Sequence, residues 1–184
     1  PHVAPAGHEN LFVLVPVSPD AVDGLSAVLD EQPSPEPLPV AVVARPGTDG
    51  SRIDEAVATL RDLGSSVSLR GIERAADTDW STTRRHGVDL ALELPRETVA
   101  LDRTLAELLS VNRQDGPRAV AKWRTQTGPA GPIPTPEELA GFITRCVRAG
   151  VPFKLTGGLH HAVAQTDDAQ SGEGTEEMHG ALNV

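Results

Sequence analysis

Residues 88–94, VDLALEL, decide the fold class of this chain of 184 residues. Large aliphatic residues occupy every second position of this segment, and Asp89, Ala91 and Glu93 occupy the positions between them. Such alternation predicts a β-strand with one apolar and one polar face. The same alternation recurs in AVAKWRT at 119–125 and in VPFKLT at 151–156. In an open sheet covered by helices on both sides, the strands should instead be apolar on both faces.

Segments of this kind alternate along the chain with segments of helical periodicity, which is typical of βαβ units and a parallel sheet. A complete (β/α) barrel of eight strands needs about 250 residues. We therefore predict one α/β domain over residues 1–184, with a short or incomplete parallel (β/α) barrel of about six strands. An open doubly wound parallel sheet is the alternative. The predicted strands are 11–17, 40–45, 66–71, 88–94, 119–125 and 151–156.

Local signals predict several further features. The clearest helix start is Thr135-Pro136-Glu137-Glu138, which combines an N-cap threonine, an N1 proline and an N3 glutamate. Ser51 with Asp54 predicts a capping box for an earlier helix. The polar segment 73–87 is predicted to hold only a short helix. Residues 165–177 are predicted to be a mobile acidic loop, and a helix is predicted to begin at Met178.

Composition excludes some classes of partner. The net charge of −10 argues against binding to nucleic acid and to anionic membrane surfaces, because both need basic patches. No apolar run approaches the ~18 residues of a membrane span. The single cysteine, Cys146, cannot form an internal disulfide and lies on the apolar face of a predicted helix. Together with the absence of an opening signal segment, this predicts a cytoplasmic protein.

Positive charge collects on the polar faces of the predicted strands. The chain has only two lysines, Lys122 and Lys154, and both lie in strand-like runs. Five positive groups and one negative group on the polar faces predict an anionic ligand, such as a phosphate or carboxylate. A purely structural network with Asp89 and the acidic loops is the alternative. The residues of this face are Arg45, Arg70, Glu93, Lys122, Arg124 and Lys154.

Residues 151–163, VPFKLTGGLHHAV, supply the candidate reactive group. A desolvated amine crowded by cations loses its proton more readily, so Lys154 is a candidate Schiff-base nucleophile, with Glu93 or Lys122 moving protons. Clamping of an anion is the alternative role for both lysines. Gly157 and Gly158 either cradle an anion or form a simple turn. The substrate-binding candidates are Arg45, Arg70, Arg124, Thr156, Gly157, Gly158, His160, His161 and His179.

Three histidines also allow a metal-dependent enzyme. Adjacent residues of an extended segment point in opposite directions, so at most one of His160 and His161 would easily join His179 and Glu93. Neither an H-x-H nor an H-E-x-x-H spacing is present. We therefore predict no metal and no cofactor. A non-catalytic protein that binds an anionic metabolite is the third possibility, and homo-oligomerisation is left open.

Two local resemblances bear on function. The K-x-T-x-G pattern of Lys154, Thr156 and Gly158 resembles the lysine-bearing strand of class I barrel aldolases, deoxyribose-phosphate aldolase among them, over about five residues. The pair of histidines departs from those enzymes. KWRT and FKLTGGLHH also resemble an uncharacterised bacterial family of barrel-like proteins with K-x-R-T and F-K-x-T-x-G-L-H-H elements. The aldolase resemblance implies a lyase or isomerase that acts on an anionic substrate, with Lys154 central.

Overall fold

The computed structural model describes residues 13–77, 79–128, 131–158, 163, 165–168 and 175–179. The helices are α1 (Pro19–Glu31), α2 (Gly50–Asp62), α3 (Thr98–Asn112) and α4 (Pro136–Ala149), with short 3-10 helices at Gly64–Ser66 and Trp80–His86. The strands are β1 (Val13–Pro16), β2 (Leu38–Val43), β3 (Val67–Ala75), β4 (Asp89–Glu93), β5 (Ala119–Arg124), β6 (Phe153–Thr156), β7 (Gln165–Asp168) and β8 (Thr175–Met178).

Strands β1 to β6 form one parallel sheet in the order β1-β2-β3-β4-β5-β6. Each strand therefore lies beside the strand that precedes it in the chain. A doubly wound sheet reverses its order at a switch point, and these six strands contain no reversal. The prediction of an α/β fold with a short, incomplete parallel barrel is confirmed, and the doubly wound alternative is wrong. In the described part of the chain, no helix has the length and apolar character needed to cross a bilayer.

The chain divides into two compact units, residues 1–90 and 91–184. In the first unit, α2 packs on β2 and β3. Asp49 is the N-cap of α2, and its carboxylate accepts a hydrogen bond from the Ser51 backbone N–H at 2.8 Å. The predicted capping box with Ser51 at the N-cap is therefore wrong, because a carboxylate two residues earlier already caps the helix. The buried core residues here include Val40, Val42, Ile53, Val57, Leu60 and Ile72.

Strand β3 is longer and less regular than predicted. It continues to Ala75, so the polar segment that begins at residue 73 opens as strand and only then reaches the short helix that was expected. Against β2, Val40 pairs with Leu69 and Ala41 pairs with Gly71. Arg70 is therefore the extra residue of a β-bulge, and the regular alternation on which its placement rested is interrupted there.

In the second unit, α3 packs against β5 and against α4. Trp123 of β5 stacks on Phe142 of α4 with ring centroids 4.6 Å apart, and Cys146 is fully buried in the same core. Helix α4 begins as predicted. The Thr135 hydroxyl accepts a hydrogen bond from the Glu138 N–H at 3.2 Å, and the Glu138 carboxylate accepts one from the Thr135 N–H at 2.7 Å. This reciprocal capping box satisfies two backbone donors that the helix itself leaves unpaired.

Beyond β6, strands β7 and β8 pair in antiparallel register, with Gln165 opposite Met178. The prediction of a loop is wrong at Gln165–Asp168 and Thr175–Met178, which are strands, and no helix begins at Met178, the last residue of β8. A local hairpin pairs its backbone groups between two neighbouring segments, so it does not need the apolar alternation that was sought in the sequence. Residues 169–174 and 180–184 lie outside the described residues.

Candidate functional site

The parallel register of β5 and β6 decides where the two lysines lie. Lys122 pairs with Lys154, and Arg124 pairs with Thr156. Paired residues of neighbouring strands project from the same face of a sheet, and the strands are about 4.8 Å apart. Lys122, Arg124 and Lys154 therefore share one face, as the alternation predicts.

Glu93, the last residue of β4, contacts both cations of β5. Its Oε2 atom lies 3.4 Å from Lys122 Nζ and 3.4 Å from Arg124 Nη2. The side chains of Glu93 and Lys122 are only 11% and 6% exposed. Both contacts are longer than the about 2.7–2.9 Å of an optimal charge-assisted hydrogen bond. We call Glu93, Lys122, Arg124 and Lys154 the lysine face.

The lysine face lies where sequence and topology place the sites of barrel enzymes. Glu93 and Arg124 are the last residues of β4 and β5, and sites in parallel barrels form at the carboxyl ends of the strands. Thr156, paired with Arg124, ends β6 at the same edge. The chain thus brings a carboxylate, a guanidinium and two amines together from three consecutive strands.

Two threonines tie the end of β5 to the end of β6. The fully buried Thr125 donates its hydroxyl proton to the Gly157 carbonyl oxygen, and its backbone N–H donates to the Thr156 carbonyl at 2.9 Å. The Thr156 hydroxyl donates to the Trp123 carbonyl oxygen at 3.4 Å. The hydroxyl proton of Thr156 is thereby used within the sheet, which leaves this predicted substrate contact only its acceptor capacity.

Gly157 and Gly158 are required by close packing. Both have positive φ, 76° and 72°. A Cβ atom at Gly157 would lie 2.5 Å from the Gln126 side chain, and one at Gly158 would lie 2.5 Å from the Thr125 carbonyl oxygen. These contacts account for both glycines without a ligand, so they favour the turn over the anion cradle.

The remaining predicted cations lie in the first unit. Arg45 follows the end of β2 and is exposed, and Arg70 is exposed in the β-bulge. The backbone carbonyl of Arg45 accepts a hydrogen bond from the Thr48 N–H at 3.0 Å, within a turn. Both side chains are surface cations, whereas Lys122 is buried.

The histidines are only partly described. His179 Nε2 donates a hydrogen bond to the Pro134 carbonyl oxygen at 2.6 Å, which leaves Nδ1 as its one remaining ring nitrogen. His160 and His161 lie outside the described residues. Among the residues that the structure describes, no three His, Cys, Asp or Glu side chains are grouped to hold a metal ion. Burial raises the pKa of the Cys146 thiol to about 12, as fits a core residue.

A second charged cluster, which the sequence analysis missed, surrounds Arg74 of β3. Arg74 is 3% exposed, and its Nη2 atom lies 2.6 Å from both Asp77 and Asp79. Its Nη1 atom donates to the Thr83 hydroxyl at 2.6 Å. The close spacing of one arginine and two aspartates within six residues was the available signal, but the segment was predicted only to hold a short helix. This Arg74 cluster ties the end of β3 to the short helix at Trp80–His86.

Comparison with protein-family models, curated proteins and solved structures found no match for this chain. The two resemblances noted in the sequence therefore stay predictions. The chemistry of the lysine face follows from its own groups. Amines can attack a carbonyl carbon or bind an oxyanion, and a carboxylate beside an amine can move a proton.

Proposed function

We propose that the lysine face binds an anionic small molecule, bearing a phosphate or a carboxylate, and transforms it in a lyase or isomerase reaction. The observation that carries the proposal is the charge imbalance of this face. Lys122, Arg124 and Lys154 share this face with Glu93, and the four side chains carry a formal charge of +2 in a protein of net charge −10.

An oxyanion supplies what the face lacks. A guanidinium presents five N–H donors and each ammonium presents three, whereas one carboxylate offers about four acceptor positions. Glu93 shares its carboxylate between Lys122 and Arg124 at 3.4 Å. A phosphate or carboxylate of the substrate would accept hydrogen bonds from the cations of this face and neutralise its excess charge.

Lys154 is the residue that we place at the centre of the reaction. It is partly exposed, whereas its register partner Lys122 is buried. Lys154 first transfers a proton to Glu93, and its amine then attacks the carbonyl carbon of the substrate; loss of water from the carbinolamine gives a Schiff base. Lys122 and Glu93, 3.4 Å apart, form the pair that moves protons to and from the reacting atoms.

Borohydride trapping tests the reaction. The chain has only two lysines, so peptide mass mapping assigns an adduct directly to Lys122 or Lys154. We expect reduction in the presence of a triose phosphate or pyruvate to leave a covalent adduct on Lys154. The Lys154→Arg variant should be as inactive as Lys154→Met, because a guanidinium cannot be this nucleophile. The Lys122→Met variant should still form the adduct, but more slowly, because it keeps the nucleophile and loses a partner in proton transfer.

Other outcomes would contradict the proposal at different levels. An adduct on Lys122 alone would show that Lys122, and not Lys154, is the nucleophile. Anion binding without an adduct, retained in Lys154→Arg, would leave a binding protein in place of an enzyme. Full binding and full turnover in Lys154→Met would remove the lysine face as the site.

A further inference from the structure

Arg96 and Trp123 carry two buried hydrogen-bond donors that have no acceptor. The Arg96 Nη2 atom and the Trp123 Nε1 atom are both buried without a hydrogen-bond partner. Trp123 as a whole is only 3% exposed. Buried donors in native proteins are almost always paired, because an unpaired donor loses its bonds to water and gains none. Two unpaired donors in one place therefore point to a missing acceptor.

The two side chains are direct neighbours. Arg96 Cζ lies 5.8 Å from the centroid of the Trp123 ring, within the range of a cation–π contact. Stacking on Phe142 of α4 holds the indole ring in place. Arg96 follows the last residue of β4 by three positions, and Trp123 is the penultimate residue of β5. Both donors thus lie near the carboxyl ends of these strands.

The charge of Arg96 has no carboxylate partner in the described ranges. Glu97, the next residue, accepts hydrogen bonds from the Val99 and Ala100 N–H groups as the N-cap of α3. Those two bonds lower the pKa of Glu97 and commit its carboxylate to the helix. A bound water would satisfy one donor, but it would not balance the guanidinium charge.

We infer that Arg96 and Trp123 form a second oxyanion site, which takes one phosphate or carboxylate group. Consecutive residues of a strand project from opposite faces, so Trp123 lies on the side of β5 opposite to Lys122 and Arg124. The site is therefore distinct from the lysine face. One oxyanion accepts from Nη2 and Nε1 together and neutralises the guanidinium. Arg96 as a whole is partly exposed, whereas Trp123 is buried.

The indole N–H signals of ¹⁵N-labelled protein test this site directly. The chain has two tryptophans, so Trp80 provides an internal control for Trp123. Trp123→Phe, which keeps a stacked ring, or Trp80→Phe assigns the two signals. At constant ionic strength, we expect the Trp123 signal to shift saturably with inorganic phosphate or with acetate at millimolar concentration, while the Trp80 signal stays in place. The anion that produces the shift identifies the phosphate or the carboxylate as the ligand group.

Variants separate this site from the lysine face. Arg96→Gln should weaken the response at least about tenfold, since a hydrogen-bonded charge is lost. Arg96→Lys, which keeps the charge, should retain part of the response. Lys154→Met should leave the response unchanged, whatever happens to turnover. A Trp123 signal that responds to neither anion, or that shifts equally in Arg96→Gln, would overturn the inference.

Discussion

The Arg74 cluster and the lysine face both contain buried side chains of opposite charge. In the Arg74 cluster the carboxylates outnumber the cation, whereas in the lysine face the cations outnumber the carboxylate. Around Arg74, two carboxylates and one hydroxyl accept from a single guanidinium at 2.6 Å. Around Glu93, a single carboxylate is shared by Lys122 and Arg124 at 3.4 Å. Short contacts with enough acceptors are typical of a closed structural network. A carboxylate shared by two cations leaves an excess of positive charge, which we propose that an anionic ligand balances.

The difference shows that burial alone does not identify a functional cation. Arg74 and Lys122 are 3% and 5% exposed, so the two charges are removed from water to almost the same extent. Arg74 uses both terminal nitrogens, and only its Nε atom has no partner. The ratio of donors to acceptors, rather than exposure, separates the two regions. That ratio predicts stability effects for one region and ligand effects for the other.

The largest loss of stability should come from Arg74→Met. This substitution leaves the Thr83 hydroxyl without its donor and leaves Asp77 and Asp79 as neighbouring like charges, at a cost of about 3 kcal/mol. Urea unfolding of the wild type and of Arg74→Met measures this difference in the free energy of unfolding. Arg70→Met, an exposed arginine of the same strand, is the control and should change stability by less than about 0.5 kcal/mol. Equal effects of the two substitutions would show that the cluster is not a closed network.

Glu93→Gln should have a smaller effect, about 2 kcal/mol, because the buried Lys122 loses its counter-charge while Arg124 remains partly solvated. In this variant three cations face the ligand without a competing carboxylate. Phosphate should therefore raise its unfolding midpoint more than that of the wild-type protein. Sodium chloride of equal ionic strength is the control for screening. If phosphate and chloride act alike, the surplus of donors has no consequence for binding.

The smallest effect should appear at Asp54, in an exposed network of the first unit. Partial burial acts to raise the pKa of Asp54, but hydrogen bonds from Arg85 and His86 outweigh it and lower the pKa. A carboxylate whose pKa is lowered by folding stabilises the protein above its unfolded-state pKa of about 4. This contribution is lost as the pH falls through the folded-state pKa. Unfolding free energies at pH 6 and pH 3 should therefore differ less in Asp54→Asn than in the wild type. Asp62→Asn, at an exposed residue of the same helix, is the control for the removal of one carboxylate.

Much of the fold was predictable because it rests on local patterns. The alternation in β4, β5 and β6 identified the strands and favoured an incomplete parallel barrel over a doubly wound sheet. The capping residues at Thr135 identified the start of α4. The bulge at Arg70 was not predicted, although Gly71 inside the strand was an available signal, since glycine in a strand interior often marks a bulge. The pairing of β7 with β8 depends on backbone hydrogen bonds between residues of either polarity, so it was missed as well.

The candidate site was predictable where strand alternation alone placed a side chain. The common face of Lys122, Arg124 and Lys154 follows from the alternation of side chains along each strand and from the parallel register of β5 and β6. Contacts that depend on distance were not predictable. The sharing of Glu93 by two cations and the neighbourhood of Arg96 and Trp123 arise from how chain segments far apart in sequence meet.

The measurement that tests the lysine face most directly is the phosphate dependence of the unfolding midpoint, with and without Lys154. Both proteins should carry Arg96→Gln, so that the second oxyanion site does not contribute. Phosphate at ten times its dissociation constant should stabilise the parent by about 1.4 kcal/mol. Lys154→Met should unfold at the same midpoint without phosphate and lose most of this gain. An equal gain in both proteins would contradict the account, because the lysine face would then bind its anion without the residue placed at its centre.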